Sequence, residues 1–129
     1  MKPNPQGKFS LKARLRSFSY AFKGINELIR GQHNFRLHLL ALIVVVSCGL
    51  ILNVSTVEWM VLIICIGFVL SLETINSIIE NIIDLVSPAF NEQAGKIKDM
   101  AAAAVLIAAF CSALVGIIIF IPKIFERFK

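Results

Sequence analysis

The chain has 129 residues, of which 57% are hydrophobic and only 16% are charged, with a formal net charge of +5. A soluble domain carries about a quarter charged residues, so this composition excludes an ordinary soluble fold and indicates one compact integral membrane unit. The cysteines at positions 48, 65 and 111 lack the spacing of metal ligands and are interpreted as small buried hydrophobic residues.

The N-terminal segment is basic and is predicted to lie at the membrane surface. Residues 1–8 contain two prolines and a glycine and are predicted to be disordered. Residues 9–31 repeat Leu, Phe and Ile at alternating steps of four and three, beside a basic stripe, which predicts an interfacial amphipathic helix. Residues 1–36 hold eight Lys and Arg against one acid, which places the N-terminus in the cytoplasm. Because this segment leads into a membrane span, nucleic-acid binding is rejected as its explanation.

Three apolar segments follow, each long enough to cross a bilayer. They are predicted to form helices over residues 37–54, 57–86 and 96–121. The predicted fold class is therefore an all-α membrane protein, in which an N-terminal interfacial helix precedes three transmembrane helices. Residues 1–129 form one domain in this interpretation.

The ends of these segments are marked by polar and helix-breaking residues. Gly31 ends or bends the first helix, and residues 32–36 are interpreted as a polar connector at the membrane surface. Ser55 or Thr56 is expected to cap the second membrane helix at its N-terminus. Pro122 is expected to end the third.

An acidic stripe interrupts one of the most apolar parts of the chain. Residues 73–84 read E-T-I-N-S-I-I-E-N-I-I-D. On a helix, Glu73, Glu80 and Asp84 fall within about 20° of one line along the axis. Since the second helix exceeds the hydrocarbon thickness, Glu80 and Asp84 are expected near cytoplasmic water and Glu73 slightly inside the membrane boundary. Ionisable residues inside a membrane helix are costly and mark a functional site by default.

The residue types of this cluster favour phosphoryl transfer to a membrane-dissolved alcohol. Carboxylates suit Mg²⁺, a lysine holds phosphate oxygens, and a carboxylate at the hydrocarbon boundary is placed to act as base toward a lipid hydroxyl. The sequence has neither G-x-x-x-x-G-K-[ST] nor G-x-G-x-x-G. On the residues alone, two alternatives therefore stay open, namely a non-enzymatic membrane scaffold and a small ion or proton channel.

The acidic stripe, followed by Lys98-Asp99 and four alanines, resembles the signature of the bacterial integral-membrane diacylglycerol kinase and undecaprenol kinase family. The resemblance extends from about Ser17 to Pro122. It implies a homotrimer in the bacterial cytoplasmic membrane, with active sites shared between neighbouring subunits. It also implies ATP as phosphoryl donor, Mg²⁺ as cofactor, and a membrane lipid as substrate. The choice between diacylglycerol and undecaprenol stays open.

The same resemblance implies a role for each polar side chain. Glu73 matches the catalytic base, and Glu80 matches a glutamate that binds Mg²⁺. Asp84 matches an acid of the family motif and is assigned a supporting hydrogen-bonding role. Ser77, also supporting, is interpreted from its own chemistry as a helix-packing hydroxyl rather than a nucleophile. The implied ATP-binding residues are Tyr20, Asn76, Glu80, Lys98 and Asp99.

One position departs from the family pattern. Gln32 stands where the family usually carries a second metal-ligand glutamate. Glutamine offers a carbonyl oxygen without charge, so Mg²⁺ loses one anionic ligand. Three explanations of this departure stay open. Gln32 binds the metal through its carbonyl or through a water, Glu27 one turn earlier replaces the missing glutamate, or the enzyme is slow or unusual in its use of metal. His33 and His38 are interpreted as hydrogen-bonding interface residues rather than metal ligands.

Overall fold

The chain folds into four α-helices joined by short connections, in a computed structural model that describes residues 10–127. The predicted disorder of residues 1–8 lies outside the described residues. The all-α class is confirmed for the part that is described. The helices are α1 (Leu11–Gly31), α2 (His33–Ile51), α3 (Thr56–Val86) and α4 (Glu92–Arg127).

Three of these helices, α2, α3 and α4, are long and apolar enough to cross a membrane. The 19 residues of α2 reach about 28 Å and the 31 residues of α3 about 46 Å, at about 1.5 Å per residue. The hydrocarbon core of a bilayer is about 30 Å thick. The prediction of three membrane-capable helices is therefore confirmed, and both α3 and α4, the latter with 36 residues, are longer than the hydrocarbon is thick.

The polar connector predicted over residues 32–36 is wrong. Gln32 alone separates α1 from α2, with extended backbone angles of φ −110° and ψ 113°. His33, Asn34 and Arg36 belong to the first turn of α2, where their side chains remain exposed. These residues are polar because their side chains are exposed in the first turn of a regular helix. Their polarity was therefore not a sign of irregular backbone.

The sequence also misplaced both ends of α4. The helix begins at Glu92, four residues before the predicted start, because the Asn91 Oδ1 accepts hydrogen bonds from the backbone N–H groups of Gln93 and Ala94 at 2.9 and 3.2 Å. Pro122 does not end the helix, which continues to Arg127. Proline removes one backbone hydrogen bond, and contacts to other helices hold the turn that follows it.

Those contacts tie the last turns of α4 to the α2–α3 connection. Lys123 Nζ lies 3.1 Å from the Glu58 Oε2, and the Arg127 Nη1 donates to the backbone oxygen of Ile51 at 2.7 Å. The Arg127 bond satisfies a carbonyl at the C-terminus of α2, where cations are favoured. The two contacts explain why α4 stays helical beyond its proline.

The start of α3 is capped by Ser55, which decides between the two predicted candidates. The Ser55 Oγ accepts from the Glu58 backbone N–H at 3.3 Å, and the Glu58 Oε2 accepts from the Ser55 backbone N–H at 2.6 Å. This reciprocal pair is a capping box. Asn53 precedes it with a positive φ of 49°, a conformation that asparagine tolerates in tight turns.

Next to this turn, α2 and α3 approach closely through a glycine. Gly49 is buried, and a Cβ built on it would lie 2.6 Å from the Cη2 of Trp59. The Trp59 ring packs against a small core of Val54, Leu62 and Ile119. This core lies at the end of the bundle opposite the acidic stripe, so the polar face of α3 is held by separate contacts.

Candidate active site

The centre of the acidic stripe is buried inside the chain. Glu73, Asn76 and Ser77 are 2%, 4% and 1% exposed. They share one face of α3 with Glu80, because positions at steps of three and four lie above one another on a helix. A buried ionisable group and two buried polar groups on one face of a membrane-capable helix require partners, which makes this face the candidate site.

The Glu73 carboxylate lies beside a histidine of α2. The His38 Nε2 is 3.9 Å from the Glu73 Oε2, and the two side chains are 23% and 3% exposed. The sequence interpretation of His38 as an interface residue did not place it at this carboxylate. A signal was nevertheless present, because His38 follows the buried Phe35 by three residues and therefore shares its inner face.

Asn76 and Glu80 form the second part of the site. The Asn76 Nδ2 donates to the Glu80 Oε1 at 3.0 Å. The Asn76 Oδ1 and the Ser77 Oγ are buried without a hydrogen-bond partner among the described residues. A buried polar atom left unpaired costs about 1–3 kcal/mol. These two atoms therefore hold unused hydrogen-bonding capacity inside the chain.

Lys98 and Asp84 join the far ends of the neighbouring helices. The Lys98 Nζ donates to the Asp84 Oδ1, which ties the first turns of α4 to the last turns of α3. Asp99 follows Lys98 on the exposed surface. The contact agrees with a supporting role for Asp84, since it holds a cationic side chain at the edge of the polar face.

Gln32 and Glu27 line a separate hollow between α1 and α3. Its α3 wall is formed by Thr74, Ile78 and Asn81. These positions lie about 80–160° around the helix from Glu73 and Glu80, at 100° per residue. The structure thus brings Glu27 and Gln32 together, on a side of α3 that faces away from the Asn76–Glu80 pair.

Tyr20, which was predicted, and Asn81, which was not, are two further polar residues of this region. Tyr20 is exposed on α1, and the Lys23 Nζ lies 6.0 Å from the centre of its ring. Asn81 was not singled out from the sequence, although it follows Glu80 directly in the stripe. Its position in the hollow adds an amide beside Glu27 and Gln32.

The donor set suits a cation that arrives with phosphate. Within residues 10–127, no group of three or more His, Cys, Asp and Glu side chains is arranged to hold a metal ion. Mg²⁺ commonly takes one or two carboxylates and completes its shell with water and substrate phosphates. Glu80 fits that chemistry, because Asn76 engages Oε1 and Oε2 is available to a cation.

Comparisons with known proteins bear on this arrangement. The sequence model described as prokaryotic diacylglycerol kinase matches residues 19–120. The chain belongs to this family. The matched range contains every site residue from Tyr20 to Asp99. The family resemblance drawn from the acidic stripe is therefore confirmed, and this family member is a membrane-embedded lipid kinase rather than a channel or scaffold.

Curated relatives of this chain carry two substrate names. An undecaprenol kinase of Bacillus subtilis is 38% identical over 109 residues, which cover 84% of this chain and 89% of the relative. A diacylglycerol kinase of Synechocystis is 33% identical over 109 residues, covering 84% of this chain and 62% of the relative. A diacylglycerol kinase of Escherichia coli K12 is 31% identical over 94 residues, covering 73% and 77%.

Proposed function

We propose that this lipid kinase transfers the γ-phosphate of ATP to the hydroxyl of a lipid alcohol dissolved in the membrane. The observation that carries the proposal is the Glu73 carboxylate, which is 2% exposed within a membrane-capable helix and shares a face with the Asn76–Glu80 pair. A buried carboxylate is placed to contact an apolar substrate inside the membrane. The Asn76–Glu80 pair lies nearer the C-terminal end of α3, which is the end that a nucleotide would approach.

In the proposed mechanism Glu73 takes the proton of the lipid hydroxyl as its oxygen attacks the γ-phosphorus. Asn76 orients the Glu80 carboxylate through the 3.0 Å hydrogen bond, and Glu80 would hold the Mg²⁺ that accompanies ATP. Bound there, Mg²⁺ would neutralise the charge that develops on the phosphate oxygens. Lys98 supplies a further cation at this edge, while Tyr20 and Asp99 complete the proposed nucleotide contacts.

This proposal also gives Gln32 a place in metal binding, in the hollow between α1 and α3. Gln32 shares that hollow with Glu27, so a carbonyl oxygen and a carboxylate lie together. This juxtaposition supports Glu27 as the residue that restores the charge lost at Gln32. In this proposal Gln32 contributes its carbonyl or a bound water, and Glu27 contributes the charge.

The proposed orientation places the N-terminus and the Glu80 end of α3 in the cytoplasm of a bacterium. The basic residues of the N-terminal segment support it, because such residues are retained on the cytoplasmic side. Exposed apolar side chains of α1 support a position in the interface: Leu11, Leu15, Phe18 and Phe22 are each at least 63% exposed. A proteolysis or labelling assay on sealed membranes tests this orientation.

We further propose a homotrimer with active sites shared between subunits. Membership of the prokaryotic diacylglycerol kinase family supports it, since the resemblance to that family implies a homotrimer with shared active sites. Native mass spectrometry of the detergent-extracted protein should give a species of three chains of 14.3 kDa each. A stable monomer that retains full activity would contradict the shared site.

Undecaprenol ranks ahead of diacylglycerol as the proposed substrate. The relative named undecaprenol kinase shares 38% identity with this chain, against 31–33% for the relatives named diacylglycerol kinase cited above. An apolar cleft of about 440 Å³ along α2, α3 and α4 supports either lipid, because it begins at His38 beside Glu73 and extends to Phe120.

The deciding experiment is a phosphorylation assay with purified protein, γ-labelled ATP and Mg²⁺. Undecaprenol, diacylglycerol and a lipid without a free hydroxyl are offered in mixed micelles. We expect label in undecaprenyl phosphate above that in phosphatidic acid, and none with the third lipid. Label in phosphatidic acid alone would reverse the substrate ranking, and label in neither product would refute the proposed reaction.

A further inference from the structure

The buried position of Glu73 raises the question of where its proton goes after each turnover. A carboxyl group that is 3% exposed cannot pass a proton directly to bulk water. A second group must accept the proton before the next lipid hydroxyl is activated. We propose that His38 accepts this proton from Glu73 and delivers it to water, an inference that rests on the proposed kinase reaction.

The contact between the two side chains carries the proposal. The His38 Nε2 lies 3.9 Å from the Glu73 Oε2. Proton transfer needs a hydrogen bond of about 2.7–3.0 Å, so the pair closes by about 1 Å. Catalytic hydrogen bonds are commonly long before substrate binds and tighten in the reactive complex.

The exposure of the two groups gives the transfer a direction. The side chain of His38 is 23% exposed, against 3% for Glu73, so His38 is the more accessible of the two groups. It also lines the apolar cleft, where Cys65 of α3 and Ser112 of α4 are the other polar side chains. A proton on the His38 imidazolium is therefore held at the more accessible of the two side chains.

The other charged groups of the neighbouring helices are engaged elsewhere. On α3, Glu80 lies two turns further along and accepts from Asn76. Lys98 of α4 donates to Asp84. Glu27 of α1 lines the hollow on the other side of α3. Among the described ion pairs, Glu73 is the acidic partner of His38.

The atoms and charges of the proposed cycle balance. The lipid O–H bond breaks as the oxygen–phosphorus bond forms, and the bond from the γ-phosphorus to the bridging oxygen breaks with its electron pair leaving on ADP. The proton moves from the hydroxyl to the Glu73 carboxylate and then to the His38 Nε2. The imidazolium releases one proton to water, and both side chains return to their starting state. Histidine suits this step because its imidazole can both accept and release a proton through a ring nitrogen.

The first test compares His38→Gln with His33→Gln by steady-state kinetics over a range of pH. Glutamine keeps a polar side chain beside Glu73 but accepts no proton, so kcat should fall at least about ten-fold with KM for ATP and lipid unchanged within a factor of two. The acid limb of the kcat profile should disappear in His38→Gln. His33 is exposed on the same helix and is the chain's other histidine, so His33→Gln should keep the wild-type profile.

Chemical rescue separates proton transfer from packing. His38→Ala opens space at the mouth of the cleft, and added imidazole should restore part of its kcat. A His38→Gln enzyme with wild-type kcat and pH profile would overturn the inference. So would a loss of kcat in both variants that leaves the acid limb in place and is not relieved by imidazole, because that result indicates a packing role.

A second test reads the contact without any lipid substrate. Since the chain has two histidines, ¹⁵N-histidine labelling gives two ring systems, and His33→Gln assigns them. Glu73→Gln should shift the His38 ring signals, while Glu58→Gln, at the other end of α3, should leave them unchanged. Unchanged His38 signals in Glu73→Gln would overturn the inference even in an active kinase. If the wild type phosphorylates no lipid, the kinase proposal fails separately from this contact.

Discussion

Replacing Glu73 with glutamine removes the proposed base while preserving the shape of the side chain. The carboxylate is 2% exposed, so the substitution alters little surface, and the chief loss is the capacity to take a proton. General-base catalysis contributes about 10²–10⁴-fold to a rate, which corresponds to about 3–5 kcal/mol of transition-state stabilisation. We expect kcat to fall by that factor, with KM for ATP unchanged because Glu80 and Lys98 are intact.

Stability should move little in the same variant. The Glu73–His38 contact is 3.9 Å long, beyond hydrogen-bonding distance, and removing a buried charge relieves a desolvation cost. Initial rates with labelled ATP and thermal unfolding in detergent measure the two effects. Glu58→Gln is the matched control on the same helix, about 22 Å away at 1.5 Å per residue, and it should keep wild-type kcat. Glu73→Gln activity above half of the wild-type value would refute the assignment of the base.

Three further variants test the metal site and the packing of the helices. Glu80→Gln should raise the Mg²⁺ concentration for half-maximal rate at least about ten-fold, and an unchanged Mg²⁺ dependence would exclude Glu80 as a ligand. Gln32→Glu should increase the rate or lower that Mg²⁺ requirement, because it restores an anionic ligand, whereas no change in either would place position 32 outside the metal's ligands. Gly49→Ala should lower stability by about 1–2 kcal/mol, since the new methyl group overlaps Trp59 and the gain in helix propensity is at most about 1 kcal/mol. Gly116→Ala is its control, because the added Cβ lies 3.9 Å from a phenylalanine ring, an ordinary contact; equal melting temperatures of the two variants would contradict the close approach at Gly49.

The sequence predicted the features that depend on neighbouring residues. Helix length, the acidic stripe and the Ser55 cap follow from periodicity and from local hydrogen bonding, and α3 is found almost where it was expected, at Thr56–Val86. The predicted end of α4 was wrong because proline is a local signal, whereas the continuation of the helix depends on contacts with residues distant in the sequence. Arg127 bonds a residue 76 positions earlier in the chain.

The same distinction between local and distant contacts applies to the candidate site. The shared face of Glu73, Asn76 and Glu80 follows from helical spacing alone. The neighbour of that face does not, because the rotation of α2 about its axis is set by packing against α3. The sequence therefore showed that His38 is polar but not which residue it contacts. It showed Glu27 and Gln32 as near neighbours in the chain, but not the hollow that they share in the fold. The roles of these residues toward ATP and metal stay predictions.

The length of α3 has a consequence for the membrane in which the enzyme works. From Thr56 to Glu73 the helix rises about 26 Å, slightly less than a hydrocarbon core of about 30 Å. With Thr56 at one hydrocarbon boundary, Glu73 lies just inside the other, where a lipid hydroxyl and a water-borne phosphate can meet. Longer acyl chains thicken the bilayer by a few ångströms and draw the carboxylate away from the phosphate side. We therefore expect the rate of the proposed reaction to fall as lipid chain length increases beyond the match to α3.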